Sequence, residues 1–283
     1  MFDFPDFLTL PLGDYVNYVV KWLTEHWAVF FNEINMVILW LLNHFNDFLV
    51  WLPWWYFILI IFLLSWQFKS LTNGIVFSLF LVLIGMFGYW EEMMFTLSIV
   101  LASVIISIIV GIPLGILMAY SERFETIAKP ILDGMQTMPT FVYLIPAIFF
   151  FGLGLTAGLL STVIYALPPI MRLTNLAIRQ VPDEVVEAGL SFGSSRLQLL
   201  RKVQIPQALP SIMTGVNQTT MMALAMVVVA SMVGVKGLGL EVLRALGQVD
   251  IARGFEAGIS IVFLAIIIDR ITLSLSDNIQ KQH

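Results

Sequence analysis

The amino-acid sequence predicts an all-α membrane protein, a polytopic helical bundle, and three observations carry that prediction. Of 283 residues, 59% are hydrophobic and only 12% charged, whereas soluble domains are about 45–50% apolar and about 25% charged. The apolar residues fall in long blocks, and a helix needs roughly 20 of them to cross a hydrocarbon core about 30 Å thick. Basic residues concentrate in alternate connecting segments, the distribution that marks cytoplasmic loops.

Residues 1–50 read as an N-terminal amphipathic, aromatic segment in which Asp3, Asp6, Asp14, Glu25, Glu33 and Asp47 stand against a single Lys21. Val16, Val19, Val20 and Leu23 recur at helical spacing, which suggests a helix lying on the membrane. Residues 28–42 read either as a further span or as a helix packed against the bundle, because Asn32, Glu33 and Asn35 interrupt the apolar run. The transmembrane domain occupies 51–283, with about seven spans (six to eight) near 51–68, 72–90, 93–120, 137–155, 157–178, 210–234 and 255–275. Trp51, Trp54, Trp55, Trp66, Tyr89 and Trp90 sit at the ends of the first two, where amphipathic rings favour the membrane interface.

With the polar loop at 179–209 in the cytoplasm, ten of the fourteen Lys and Arg lie inside; only Lys21, Lys236, Arg244 and Arg253 lie outside. Glu91 and Glu92 then face out. Arg172, Asp269 and Arg270 fall near the inner ends of their spans, close enough for their charges to reach water. Cysteine is absent, and His26, His44 and His283 are far apart, so neither disulfides nor a histidine metal site is expected. A net charge of -5 is no nucleic-acid footprint. No G-x-x-x-x-G-K-[ST] phosphate loop occurs, so any ATP would be hydrolysed on another chain.

The loop at 179–209 holds the most information. Pro182 followed by Asp183 and Glu184 marks a helix start, since proline suits the first helical position and carboxylates favour the positive helix end. Gly193 marks its stop, and Ser195-Arg196-Leu197-Gln198 has the S-x-x-Q form of a capping box opening a second helix. Pro206 and Pro210 are expected to end that second helix. Ala188 and Gly189 form a small-residue patch beside Val185 and Phe192, a face able to seat in a groove of another protein. Pro113, Pro139, Pro146, Pro168 and Pro169 lie inside or at the ends of spans, where each removes a hydrogen bond and favours a kink.

Glu187-Ala188-Gly189, then Gly193, then Val203-Gln204-Ile205-Pro206 resemble the EAA motif of bacterial ABC importer permeases, written E-A-A-x3-G-x9-I-x-L-P. Gly189 replaces the motif's second alanine, while Val203 and Ile205 are aliphatic replacements. The stretches Asp133-Gly134-Met135-Gln136-Thr137-Met138-Pro139, Tyr143-Leu144-Ile145-Pro146 and Ala166-Leu167-Pro168-Pro169 are similar to permeases of glycine betaine/proline betaine importers. The resemblance covers roughly residues 88–275. It implies a type I ABC importer permease fold in the bacterial inner membrane. It also implies that Glu187, Ala188, Gly189, Gly193 and Pro206 form the helix that couples to an ATPase subunit.

Further partners implied are an extracytoplasmic substrate-binding protein, a second permease subunit in a homodimer, and membrane lipid. No cofactor is expected in this chain; ATP and Mg belong to the ATPase subunit. Pro139, Tyr143, Pro146, Pro168 and Pro169 are the candidate pathway residues, and Tyr143, Phe149, Phe150, Phe151 and Tyr165 are the aromatics that a quaternary ammonium ion could meet by cation–π contact. The outer stretch from Val235 to Arg253 is a candidate contact for the binding protein. Three other readings remain: a permease for another small solute such as an amino acid, an ATP-independent secondary transporter or channel, and a purely structural membrane scaffold.

Overall fold

The computed structural model describes residues 12–281, with side chains through Ser274. Asp3, Asp6 and His283 lie outside the described residues, as does the side chain of Lys281. Every regular element among them is helical. In chain order these are α1 (Leu12–His26), α2 (Ala28–Trp51), α3 (Trp54–Phe68), α4 (Leu71–Met86), α5 (Trp90–Tyr120), α6 (Glu122–Thr137) and α7 (Leu144–Phe151). They continue with α8 (Leu155–Arg179), α9 (Asp183–Ser191), α10 (Arg196–Leu199), α11 (Ile205–Ala230), α12 (Leu238–Gln248) and α13 (Ile251–Lys281).

Among the described residues, five segments are long and apolar enough to cross a membrane: Ala28–Trp51, Trp90–Tyr120, Leu155–Arg179, Arg196–Val233 and Ile251–Ser274. The span expected near 137–155 is instead broken. Helix α6 and the segment Thr140–Phe151 meet at 117° and make a sixth crossing only if that bent pair is counted as one. The break is local chemistry. Pro139 forces Met138 out of helical space, to ψ 137, and Gly152 and Gly154 end α7 at φ 72 and 131, values that favour glycine. The spans expected near 51–68 and 72–90 are helices of 15 and 16 residues. At 1.5 Å per residue both fall short of the hydrocarbon thickness. Residues 28–42, undecided from sequence, belong to a continuous helix of 24 residues.

Helices α5, α8 and α11 form the centre. Val100, Leu159, Ala166, Ala223, Met226 and Ala230 are buried between them, and Ile38 and Leu42 bring α2 onto the same core. In lipid, helix association rests on close packing rather than on escape from water. Gly115 shows how close: a Cβ there would stand 2.7 Å from the Met171 carbonyl oxygen and 2.7 Å from Thr174 Cβ. A second core joins the α3–α4 hairpin to α5 and α13 through Phe77, Leu81, Met93 and Leu264, with Phe80 stacked on Phe263 at 4.2 Å.

Candidate functional site: the cytoplasmic loop and its footing

Helix α9 joins the end of α8 to α10. Pro182 caps it from one position outside the first turn, its carbonyl accepting from the Val185 and Val186 amides at 3.1 and 3.3 Å. Asp183 and Glu184 occupy that first turn. The far end is a Schellman turn: the Gly193 amide donates to Leu190 at 2.9 Å and the Ser194 amide to Gly189 at 3.2 Å. This closure needs the left-handed backbone that Gly193 supplies at φ 79. The capping box forms as its spacing predicts. Gln198 N donates to Ser195 Oγ at 3.4 Å, and Ser195 N to Gln198 Oε1 at 2.8 Å.

The small-residue patch divides between two faces. Gly189 turns inward, where a Cβ would meet Leu199 Cδ1 at 2.7 Å and Val203 Cγ2 at 3.8 Å. Thus the turn after Gly193 folds the following segment back beneath α9, which gives the motif's long spacing a physical reason. Glu187 and Ala188 stay exposed. Leu190, Phe192 and Leu197 are exposed as well, Phe192 at 92%. Leu190 on α9 and Leu197 on α10 form an outward apolar pair that periodicity does not reveal, because each helix is too short to show a repeat.

Pro206 does not end the second helix, contrary to expectation, and neither does Pro210. One helical segment runs from Arg196 to Val233, through a π-helical stretch at Leu200–Gln204. Pro206 sits in the first turn of α11, half-buried. There the π turn relieves the crowding that a proline imposes on the preceding turn. Pro206 is thus half-buried where Glu187 and Ala188 are exposed.

A charged network fixes the loop to the bundle. Glu125 on α6 accepts from Asn175 Nδ2 at 2.9 Å and pairs with Lys129 at 2.9 Å and Arg179 at 2.7 Å. Arg179 also donates to Asn175 Oδ1 at 3.2 Å and to the Met118 carbonyl at 3.1 Å. The hydrogen bond from Asn175, then that from Lys129, with the charge of Arg179 behind them, holds the Glu125 carboxyl below the usual glutamate range. Two turns up α8, Arg172 pairs with Asp133, so α6 runs antiparallel along α8. The Tyr120 hydroxyl donates to the Gln204 side chain, tying α5 to the π turn. Glu125–Lys129 and Asn175–Arg179 are i,i+4 neighbours, but the bonds that join α6 to α8 link residues dozens of positions apart and carry no local sequence signal.

The candidate pathway residues separate by burial. Tyr143, Pro168 and Pro169 are buried, while Pro139 and Pro146 are exposed. The Tyr143 hydroxyl donates to the Met135 carbonyl, and its ring meets Tyr165 edge-on at 5.5 Å. Phe150 stacks on Phe31 at 4.8 Å and Phe151 meets the same ring at 5.6 Å; both anchor α2. Asp269 accepts from Asn217 at 3.1 Å and lies 3.7 Å from Arg270.

Residues 111–281 match the family described as binding-protein-dependent transport system inner membrane component. The chain is 45% identical over 286 residues to the glycine betaine/carnitine transport permease protein GbuB of Listeria monocytogenes, covering 98% of this chain and 100% of that one. It is 46% identical to the glycine betaine transport system permease protein OpuAB of Bacillus subtilis over 94% of each chain. It is 44% identical to the glycine betaine/proline betaine transport system permease protein ProW of Escherichia coli, over 93% of this chain and 74% of that one. An inward-facing structure of the MetNI methionine ABC transporter shares the fold, with TM-score 0.60 and 21% identity, covering 65% of this chain and 92% of that chain. With an all-helical bundle of apolar spans, this chain therefore belongs to the inner-membrane permease components of binding-protein-dependent ABC transport systems.

Proposed function

We propose that this chain is the translocation subunit of an importer for betaine-type osmolytes, driven by a separate ATPase through α9. One observation carries the coupling role: a short helix, locked at its C-terminal end by a Schellman turn, presents Glu187, Ala188, Leu190 and Phe192 outward from a charged footing. Because α9 is bracketed by α8 and by the helix that becomes α11, a push on it is delivered to two central helices at once. The π turn at Leu200–Gln204 is the element able to absorb that displacement. ATP and Mg act on the ATPase subunit, and an extracytoplasmic binding protein delivers the solute. A second copy of this chain completes the path, with Pro139 and Pro146 on its exposed side. Supporting the substrate class are the glycine betaine transport roles of relatives that match nearly the whole chain.

The test is ATP hydrolysis in proteoliposomes holding the permease with its ATPase and binding protein. Stimulation by glycine betaine, but not by methionine or proline, is the expected result. An assembled complex that ignores every betaine would transfer the substrate assignment to another small solute.

A further inference from the structure

At the end of the bundle opposite α9, two adjoining cavities share Glu91 and Glu92. The larger, about 640 Å³, has Ile58, Leu81 and Met86 on its apolar walls and the indoles of Trp54 and Trp90 beside the carboxylates. The smaller, about 360 Å³, adds Asn46 and Lys236. Among the described residues, neither glutamate has a salt-bridge partner within 4.0 Å. Asn46 Oδ1 is buried with no hydrogen-bond donor, which is costly unless something supplies one. The polar end thus combines one buried acceptor that lacks a donor with the exposed Glu91 carboxylate, the half-buried Glu92 carboxylate and one exposed ammonium.

We propose that these cavities bind one zwitterionic aminophospholipid of the outer leaflet. Its primary ammonium donates to Glu91, Glu92 and Asn46, its phosphate meets Lys236, and an acyl chain enters the larger cavity. The apolar walls require an amphiphile rather than a free solute, and the indoles sit where tryptophans favour the membrane interface. The buried Asn46 Oδ1 requires a hydrogen-bond donor, and the carboxylates beside it favour N–H donors that carry positive charge. A primary ammonium has three, whereas a quaternary ammonium has none, so the site is chemically distinct from recognition of the proposed betaine substrate. Placement in the outer leaflet rests on the orientation in which the 179–209 loop is cytoplasmic.

The test uses the full-length chain in phosphatidylglycerol nanodiscs doped with phosphatidylethanolamine, with retained lipid counted by native mass spectrometry. The wild type is expected to retain phosphatidylethanolamine over phosphatidylglycerol and phosphatidylcholine. Glu91→Gln with Glu92→Gln should lower that retention about fivefold, the scale of one or two partly exposed ion pairs. N-acetylated phosphatidylethanolamine offered to the unaltered protein should lose a similar factor, which makes the result independent of whether the double variant folds. Equal retention of the acetylated, choline and ethanolamine lipids would overturn the proposal. So would displacement by millimolar free phosphoethanolamine, which would mark a soluble ligand. Betaine-stimulated ATP hydrolysis is read separately, so failure of either proposal leaves the other standing.

Discussion

Replacing Gly193 by alanine separates the conformation of the coupling loop from its chemistry. A Cβ at Gly193 meets nothing within 4 Å, so the substitution adds no clash. What it adds is the cost of holding a non-glycine residue at φ 79, about 1–2 kcal/mol. At 1.4 kcal/mol per factor of ten, the closed turn becomes roughly 5–30-fold less populated. Gly189→Ala is the internal control. It restores the small residue usual in the motif, gains about 0.5–1 kcal/mol of helix propensity, and asks only the flexible tip of Leu199 to move. The assay is titration of the ATPase subunit onto the permease in nanodiscs, followed by ATP-driven uptake. Gly193→Ala should weaken both about tenfold, Gly189→Ala should stay near wild type, and Gly193→Asn should recover part of the loss, because asparagine tolerates the left-handed region. Wild-type docking by Gly193→Ala, or no difference between Ala and Asn, would refute a conformational role for Gly193.

Ser195→Ala removes one bond of the capping box and should destabilise the loop by about 1 kcal/mol, seen as faster amide exchange in residues 183–199. Gly115→Val forces α5 from the Met171 carbonyl and should cost about 1–3 kcal/mol in thermal unfolding, whereas Gly134→Val, with open space around it, should cost far less. Because Asn175 and Lys129 depress the Glu125 pKa, its stabilisation is fully present above the ordinary glutamate value of about 4.3 and is lost as pH falls through the lower folded value. Thermal unfolding of the wild type should therefore weaken in that acid window, and Glu125→Gln should be less stable at neutral pH but lack this contribution to the acid loss.

What the sequence determined by itself is what local chemistry and composition can encode. Apolar content and block length decide that the chain enters a membrane. The Schellman stop at Gly193 and the capping box at Ser195 are readable because each closes within six residues. Pro139 likewise announces a break, but not that the break would turn the chain by 117°, since the angle is set by what α6 and α7 pack against. Only the tertiary structure decided that Gly189 faces inward, that Pro206 continues a helix rather than ending one, and that residues 28–51 form one helix. It alone joined Glu125 to Arg179, and Glu91 and Glu92 to Asn46 and Lys236. Those groupings depend on which helices become neighbours in lipid. There, close packing of small residues such as Gly115 selects the partners, and the pattern along any one helix does not reveal the surface it will meet.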